Sequence, residues 1–198
     1  MGSRVITTDE QLFDRARSLA AKGGRRILGI AGPPGGGKST VARAVVAELG
    51  DAARLVPMDG FHLAQSELVR LGRRDRMGAP DTFDAAGYAA LLRRLRSGSE
   101  AVVYAPEFRR EIEEPIAGAI AIPRDAPLVV TDGNYLLLDE TWYVEIDEAV
   151  RIERLVARHE RFGKAPEAAR AWTLGPDQHN AELVARTAGR ADVLVRLG

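Results

Sequence analysis

Cysteine is absent from the 198 residues. That removes disulfides, thiolate metal ligands and thiol nucleophiles. Net charge is absent too, with 28 basic and 28 acidic residues. A chain without an overall field does not draw a polyanion onto its surface, although a local basic stripe remains open. Aromatic residues are scarce at 6% and are not interleaved with basic ones, so no nucleic-acid partner is expected. No apolar run nears the ~20 residues a bilayer span needs, and no signal-peptide core opens the chain. No membrane partner is expected, and the expected location is cytoplasmic. The composition, 45% hydrophobic and 28% charged, is that of one globular domain with its own core.

Strand and helix signals alternate along the chain. Thr8 with Gln11 predicts a capping box, opening a helix from about Asp9 to Ala21 that Gly23-Gly24 ends. This helix lies in an N-terminal segment, 1–24. The run RILGIA (26–31) predicts a buried strand, followed by a helix from Lys38 to Leu49. ARLVPMD predicts a second strand ending at Asp59, residues 72–83 a loop, and Asp84 the start of another helix. Two strands, 101–105 and 116–122, fall within a segment 99–125 and flank a charged, proline-bounded excursion. PLVVTDG, TWYVEI and ADVLVRL complete the strands. The alternation implies an α/β fold: a mostly parallel central sheet with helices on both faces. The short stretch between Asp132 and Trp142 predicts a crossover without its usual helix.

The most informative stretch is GPPGGGKST. Gly32, Pro33, Pro34, Gly35, Gly36, Gly37, Lys38 and Ser39 satisfy G-x-x-x-x-G-K-[ST] between a strand and a helix start. Glycines let backbone N–H groups turn inward and let phosphate oxygens approach closely. The helix N-terminus adds partial positive charge. Lys38 is expected to reach the β- and γ-phosphates, Ser39 to ligate Mg²⁺ and Thr40 to hold the α-phosphate. The expected cofactors are therefore ATP and Mg²⁺.

An N-K-x-D guanine motif is missing, so the residues at the other strand ends decide what is done with the phosphate. Asp59, in MDGFH, suits a base that orients an acceptor hydroxyl, with Phe61 and His62 facing that acceptor. Asp132 ends an apolar strand and would hold the metal's water shell, with Asn134 and Tyr135 on the pocket wall. Arg151, Arg154, Arg158 and Arg161 form one helical stripe, expected to be part of a small lid at 151–176. Arg158 and Arg161 are the candidates for the transferring phosphates. Arg151 and Arg154 fit equally a solvated face paired with Glu153 and Glu160. Ile152, Leu155, Val156 and His159 form the buried stripe. The runs RLGRRDR and LLRRLR are expected to be solvated surface. Arg109, Arg110 and Arg124 could serve a nucleoside monophosphate acceptor.

Taken in order, GPPGGGKST, MDGFH, GAPDTFD, YAPEFRREIEEP, TDGNYLLL and RHERFGK resemble the uridine kinase, phosphoribulokinase and bacterial pantothenate kinase group of P-loop kinases. The likeness is nearest the bacterial nucleoside/nucleotide kinase-like branch, which includes kinases ascribed to fructose transport, and covers about residues 25–197. It implies an NMP-kinase-like three-layer P-loop fold and transfer of a γ-phosphate to a hydroxylated small molecule. It also implies that Asp59 is the catalytic aspartate and that Arg158 and Arg161 lie in the lid. Tyr104, Pro106, Phe108 and Arg110 fall in the substrate-side segment, with Tyr104 and Arg110 expected beside the acceptor. Relatives usually carry Glu-Gly where this chain has Asp132-Gly133, and place a helix after the position of Leu138. A nucleotide-binding regulator with little kinase activity is the alternative from another class.

Overall fold

A computed structural model describes residues 4–134 and 139–196. Six strands form one parallel sheet: β1 (Arg4–Ile6), β2 (Arg26–Ala31), β3 (Ala53–Leu55), β6 (Leu128–Asp132), β7 (Glu140–Val144) and β8 (Val193–Val195). Their spatial order is β1-β8-β7-β2-β6-β3. The central strand β2 is flanked on both sides and covered on both faces, so it reads as an unbroken apolar run. Period-two alternation then divides its residues. Leu28 and Ile30 join the core under α1 (Asp9–Ala20) and α2 (Lys38–Leu49), with Val130, Trp142 and Val144. Ile27 and Val129 point the other way, onto Leu91 and Leu95 of α4 (Ala85–Ser97). This is the expected three-layer arrangement.

Local signals account for most element ends. Thr8 caps α1 by accepting from the Gln11 N–H at 3.3 Å, while the Gln11 side chain accepts from Thr7 N–H rather than from Thr8. Asp84 caps α4 through the Gly87 N–H at 2.8 Å. The second strand is shorter than expected. Pro57 cannot donate to a ladder, so β3 ends at Leu55 and Asp59 sits on a 3₁₀ turn, Met58–Phe61. Strand β1 is an addition that the sequence did not announce, three residues paired to β8 at the sheet edge.

The strands expected at 101–105 and 116–122 are longer and leave the main sheet. β4 (Val102–Arg109) and β5 (Glu114–Pro123) form a separate antiparallel hairpin. Its charged tip is the excursion between them. Arg25 fastens the hairpin base, donating to the carbonyls of Leu95, Pro123 and Ala126. One short helix, α3 (Gln65–Arg70), follows on the chain between MDGFH and α4, and 3₁₀ turns occupy 74–76 and 80–82. The C-terminal third carries α5 (Glu148–Arg161), α6 (Pro166–Trp172), a π-helical turn (Thr173–Asp177) and α7 (Gln178–Ala185).

The short crossover is feasible because of register. Asp132 lies beside Ile30 and Glu140 beside Leu28, so β7 begins only two positions back along β2. The connection spans 133–139, of which 135–138 lie outside the described residues; the missing helix after Leu138 is consistent with β7 starting at Glu140. Glu140 itself is buried. Its carboxylate receives Arg15 of α1 in a bidentate pair and the Trp142 indole N–H at 2.6 Å. Burial pushes this carboxyl up, but the Arg15 and Trp142 donors bring it to a net position below its ordinary value. A group held low contributes stability above its unfolded pKa and loses it as pH falls through the folded value. Removing the arginine strands a buried charge. We expect Arg15→Ala to cost about 2 kcal/mol at pH 7, with the difference from wild type shrinking below about pH 4 in denaturant melts.

Candidate active site

The phosphate loop is shaped by what surrounds it. A Cβ at Gly32 would lie 2.9 Å from the Val144 carbonyl, one at Gly35 2.6 Å from Leu155 Cγ, and one at Gly36 2.8 Å from the Pro33 carbonyl. Gly35 also holds φ +75. The loop is therefore pressed between β7 and α5 with no room for side chains. Gly37, in the left-handed region, is the N-cap of α2, and the first backbone N–H groups of that helix have no partner within it. Lys38 Nζ donates to the Pro33 carbonyl at 2.9 Å, bending its side chain back over the loop. Burial pushes the ammonium down to about 8, against the pull of Asp59 and Asp132.

A cavity of about 1170 Å³ opens from this loop. Gly35 to Thr40 form its floor, with Asp59, His62, Arg110, Asp132, Asn134, Arg154 and Arg158 among its walls. Ser39 Oγ donates to Asp132 Oδ2, and Asp132 Oδ1 is buried with no partner. Burial raises this carboxyl above its ordinary value. An orphaned carboxylate oxygen beside a hydroxyl is a hard-oxygen pair of the kind Mg²⁺ takes while keeping several waters and phosphate ligands. The residues present therefore fit Mg²⁺.

Asp59 faces the same cavity from its 3₁₀ turn. A Cβ at Gly60 would be 2.4 Å from the Pro106 carbonyl, so the hairpin strand β4 presses on this turn. Arg110, at the hairpin tip, donates to Asp59 Oδ2 at 2.9 Å. Burial would raise the Asp59 carboxyl, yet His62, Arg110, Lys38 and Arg158 together hold it below the carboxylate range. It is ionised at neutral pH. His62 donates from Nδ1 to the Asp59 carbonyl at 2.8 Å, which leaves Nε2 as an acceptor. Its ring meets Phe83 at 4.0 Å and Phe108 at 4.9 Å between centroids, both tilted, and burial pushes its pKa down. All three rings line the cavity.

Helix α5 supplies the cations, though not in the expected pairing. Arg158 and Arg154 line the cavity. Arg161 is exposed and does not, although Phe162 and Lys164, farther along the chain, do. Arg151 is buried, bonded to Gln178 and Glu148. The buried stripe holds best at Leu155, which packs on the phosphate loop, and His159 is half-buried, bonded through Nε2 to Asp177 at 2.7 Å.

Other expected residues divide similarly. Phe61 turns into the core against Tyr88, at 5.1 Å between rings, and does not line the cavity. Tyr104 lies on the outer face of the hairpin, 59% exposed, because alternation along β4 points its buried neighbours Val103 and Ala105 inward. Tyr135 lies outside the described residues. Arg124 bonds to backbone carbonyls at the hairpin base and Arg109 pairs with Glu107, so of the three extra arginines only Arg110 reaches the cavity. Arg74, from a run expected to be plain surface, lines the cavity and pairs with Glu113. Phe108 of the expected substrate-side segment and Lys164 and Trp172 of the expected lid segment line the cavity; Phe83, Asp177 and Asn180 join them from outside the expected segments, through contacts that no local motif encodes.

Gly35 and Gly72 share a left-handed backbone, at φ +75 and +64, but only Gly35 has neighbours where a Cβ would go. Gly72→Ala should cost about 1 kcal/mol from backbone strain alone. Gly35→Ala should cost about 1–3 kcal/mol more, through the clash with Leu155. Thermal melts check this, and equal losses at the two sites would contradict the packing described.

No family model matches the chain. It is 30% identical over 176 residues to the Schizosaccharomyces pombe protein named "Putative uridine kinase C227.14", covering 78% of this chain and 74% of the relative. It is 32% identical over 190 residues to "Uncharacterized protein YggC" of Escherichia coli K12, covering 87% and 78% respectively. Among solved structures, a "putative fructose transport system kinase" from Silicibacter sp. TM1040 superposes with a TM-score of 0.83 at 32% identity, over 92% of this chain and 98% of that one. Sequence, phosphate loop and sheet order agree, and the chain belongs to the uridine kinase-like group of P-loop kinases.

Proposed function

We propose that this kinase moves the γ-phosphoryl group of Mg²⁺-bound ATP to a hydroxyl of a small metabolite. The observation that carries the reading is an ionised carboxylate, Asp59, facing the phosphate loop across one cavity with Lys38, Arg154 and Arg158 around it. Phosphoryl transfer asks mainly for position and charge neutralisation, and these residues supply both. The loop amides and Lys38 hold the β- and γ-phosphates. Ser39 and Asp132 would hold the metal, which would offset phosphate charge when bound. Arg158 and Arg154 neutralise charge developing on the transferring group, and α5 with α6 acts as the lid that excludes water. Asp59 orients the acceptor hydroxyl and takes its proton. His62, Phe83 and Phe108 form the apolar side of the acceptor pocket, with Asn134 on its rim.

The relatives' names differ in their acceptors, and a nucleoside, a pantothenate-like alcohol and a sugar are the acceptors this reading leaves open. The test is ADP release from Mg²⁺-ATP in the presence of uridine, pantothenate or D-fructose. One of them should support turnover, and Asp59→Asn should then lower kcat at least about a hundredfold while ATP affinity stays within about threefold. Unchanged turnover in Asp59→Asn would contradict the role given to this carboxylate. ATP binding with silence toward every hydroxylated acceptor tried would favour a nucleotide-binding regulator.

A further inference from the structure

The hairpin tip is held in a way the cavity alone does not explain. Among the described residues Glu113 is the only non-glycine with positive φ, at 52°. Such a backbone costs of order 1 kcal/mol and persists only where the surroundings fix it. They do. The Glu113 carboxylate pairs with Arg74, and its carbonyl accepts from Gln65 Nε2 at 2.6 Å. The neighbouring Glu114 accepts from the Gln65 backbone N–H, 3.2 Å to each oxygen. The tip is thus tied to α3 and to the 3₁₀ turn at 74–76, both on the acceptor side.

What this anchoring places is Arg110. Its guanidinium lies 5.9 Å from the Phe108 ring centroid, and Phe108 itself makes a tilted contact with His62. From there it donates to one oxygen of Asp59 only. Both side chains are more than a third exposed, at 42% and 37%, and a pair so exposed contributes little to folding. Stability does not account for a strained, multiply tied tip whose end product is one weak ion pair. Geometry at the carboxylate does.

Resting on the assignment of Asp59 as base, we propose that Arg110 is a positioning residue. The anchored tip holds its guanidinium on Asp59 Oδ2, fixing the carboxylate's rotation so that Oδ1 faces the acceptor hydroxyl. The hydroxyl then keeps its place while its oxygen bonds to phosphorus, its proton passes to Oδ1, and ADP leaves with the electron pair of the broken P–O bond. The other charged or titratable groups facing Asp59 are Lys38 and Asp132 from the loop side, His62 from its own turn, and Arg158 from α5. Of these, His62 packs against Phe108 of the hairpin, while Lys38, Asp132 and Arg158 belong to other elements.

The experiment is a carboxyl ¹³C titration of the full chain, with the Asp59 signal assigned by its loss in Asp59→Asn. Arg110→Met should raise the Asp59 midpoint by about one pH unit or more, and Arg110→Lys should recover part of that shift. Arg74→Met, which loosens the tip without touching Asp59, should move it in the same direction by less. With whichever of uridine, pantothenate or D-fructose supports turnover, Arg110→Met should lower kcat at least about tenfold with KM for ATP within twofold. Arg110→Met matching wild type in both midpoint and kcat would overturn the positioning role while leaving the base in place. Asp59→Asn turning over like wild type would overturn the base, and the positioning role with it.

Discussion

Three glycines of the phosphate loop are closed off by three different parts of the molecule: the edge of β7 at Gly32, helix α5 at Gly35, and the loop's own proline carbonyl at Gly36. This close packing is the constraint on which the rest depends. A loop free in solvent would tolerate side chains and would not hold its amides in one direction. Pressed against Leu155, the loop fixes the phase of α5, and that phase brings Arg154 and Arg158 to the cavity. The interdigitation of a binding loop with the element that covers it means that binding and lid position are mechanically linked, since packed interfaces shift between discrete arrangements rather than deform smoothly.

Two of the carboxylates that line the cavity, Asp132 and Asp59, differ in environment. Asp132 is buried, bonded to Ser39 and raised; Asp59 is ringed by cations and lowered. Environments that push two like groups apart assign them different work. The raised group carries an unpaired oxygen suited to a cation's shell. The lowered one stays ionised and half-open. Their turns touch, since a Cβ at Gly133 would lie 2.8 Å from Met58 beside Asp59. The Asp132 and Asp59 turns are therefore held together by the Met58 side chain packed on Gly133.

Much of this is legible in the sequence where the physics is local. The phosphate loop, α2 and the apolar strand β2 announce themselves because glycine content, a lysine-serine pair and a buried run act over a few residues. Asp59 was found through its neighbours in MDGFH, yet its strand was drawn too long because Pro57 was not taken as the end of the ladder. Phe61 and His62 are adjacent, and only the 3₁₀ geometry turns one to the core and the other to the cavity. Arg74, Phe83 and Asn180 reach the site through contacts between distant segments, which periodicity does not carry. Arg154 and Arg161 lie on one helical stripe, yet only Arg154 lines the cavity, a difference that helical periodicity alone does not carry.

The central claim is that the loop and Asp59 face each other across a bound triphosphate. The most direct measurement is a crystal structure with Mg²⁺ and a non-hydrolysable ATP analogue. The account predicts β- and γ-phosphate oxygens within about 3 Å of the loop amides and of Lys38 Nζ, which must leave the Pro33 carbonyl, and Asp59 in line beyond the γ-phosphorus. Triphosphate bound elsewhere, or Asp59 turned away from the γ-phosphate, would contradict it.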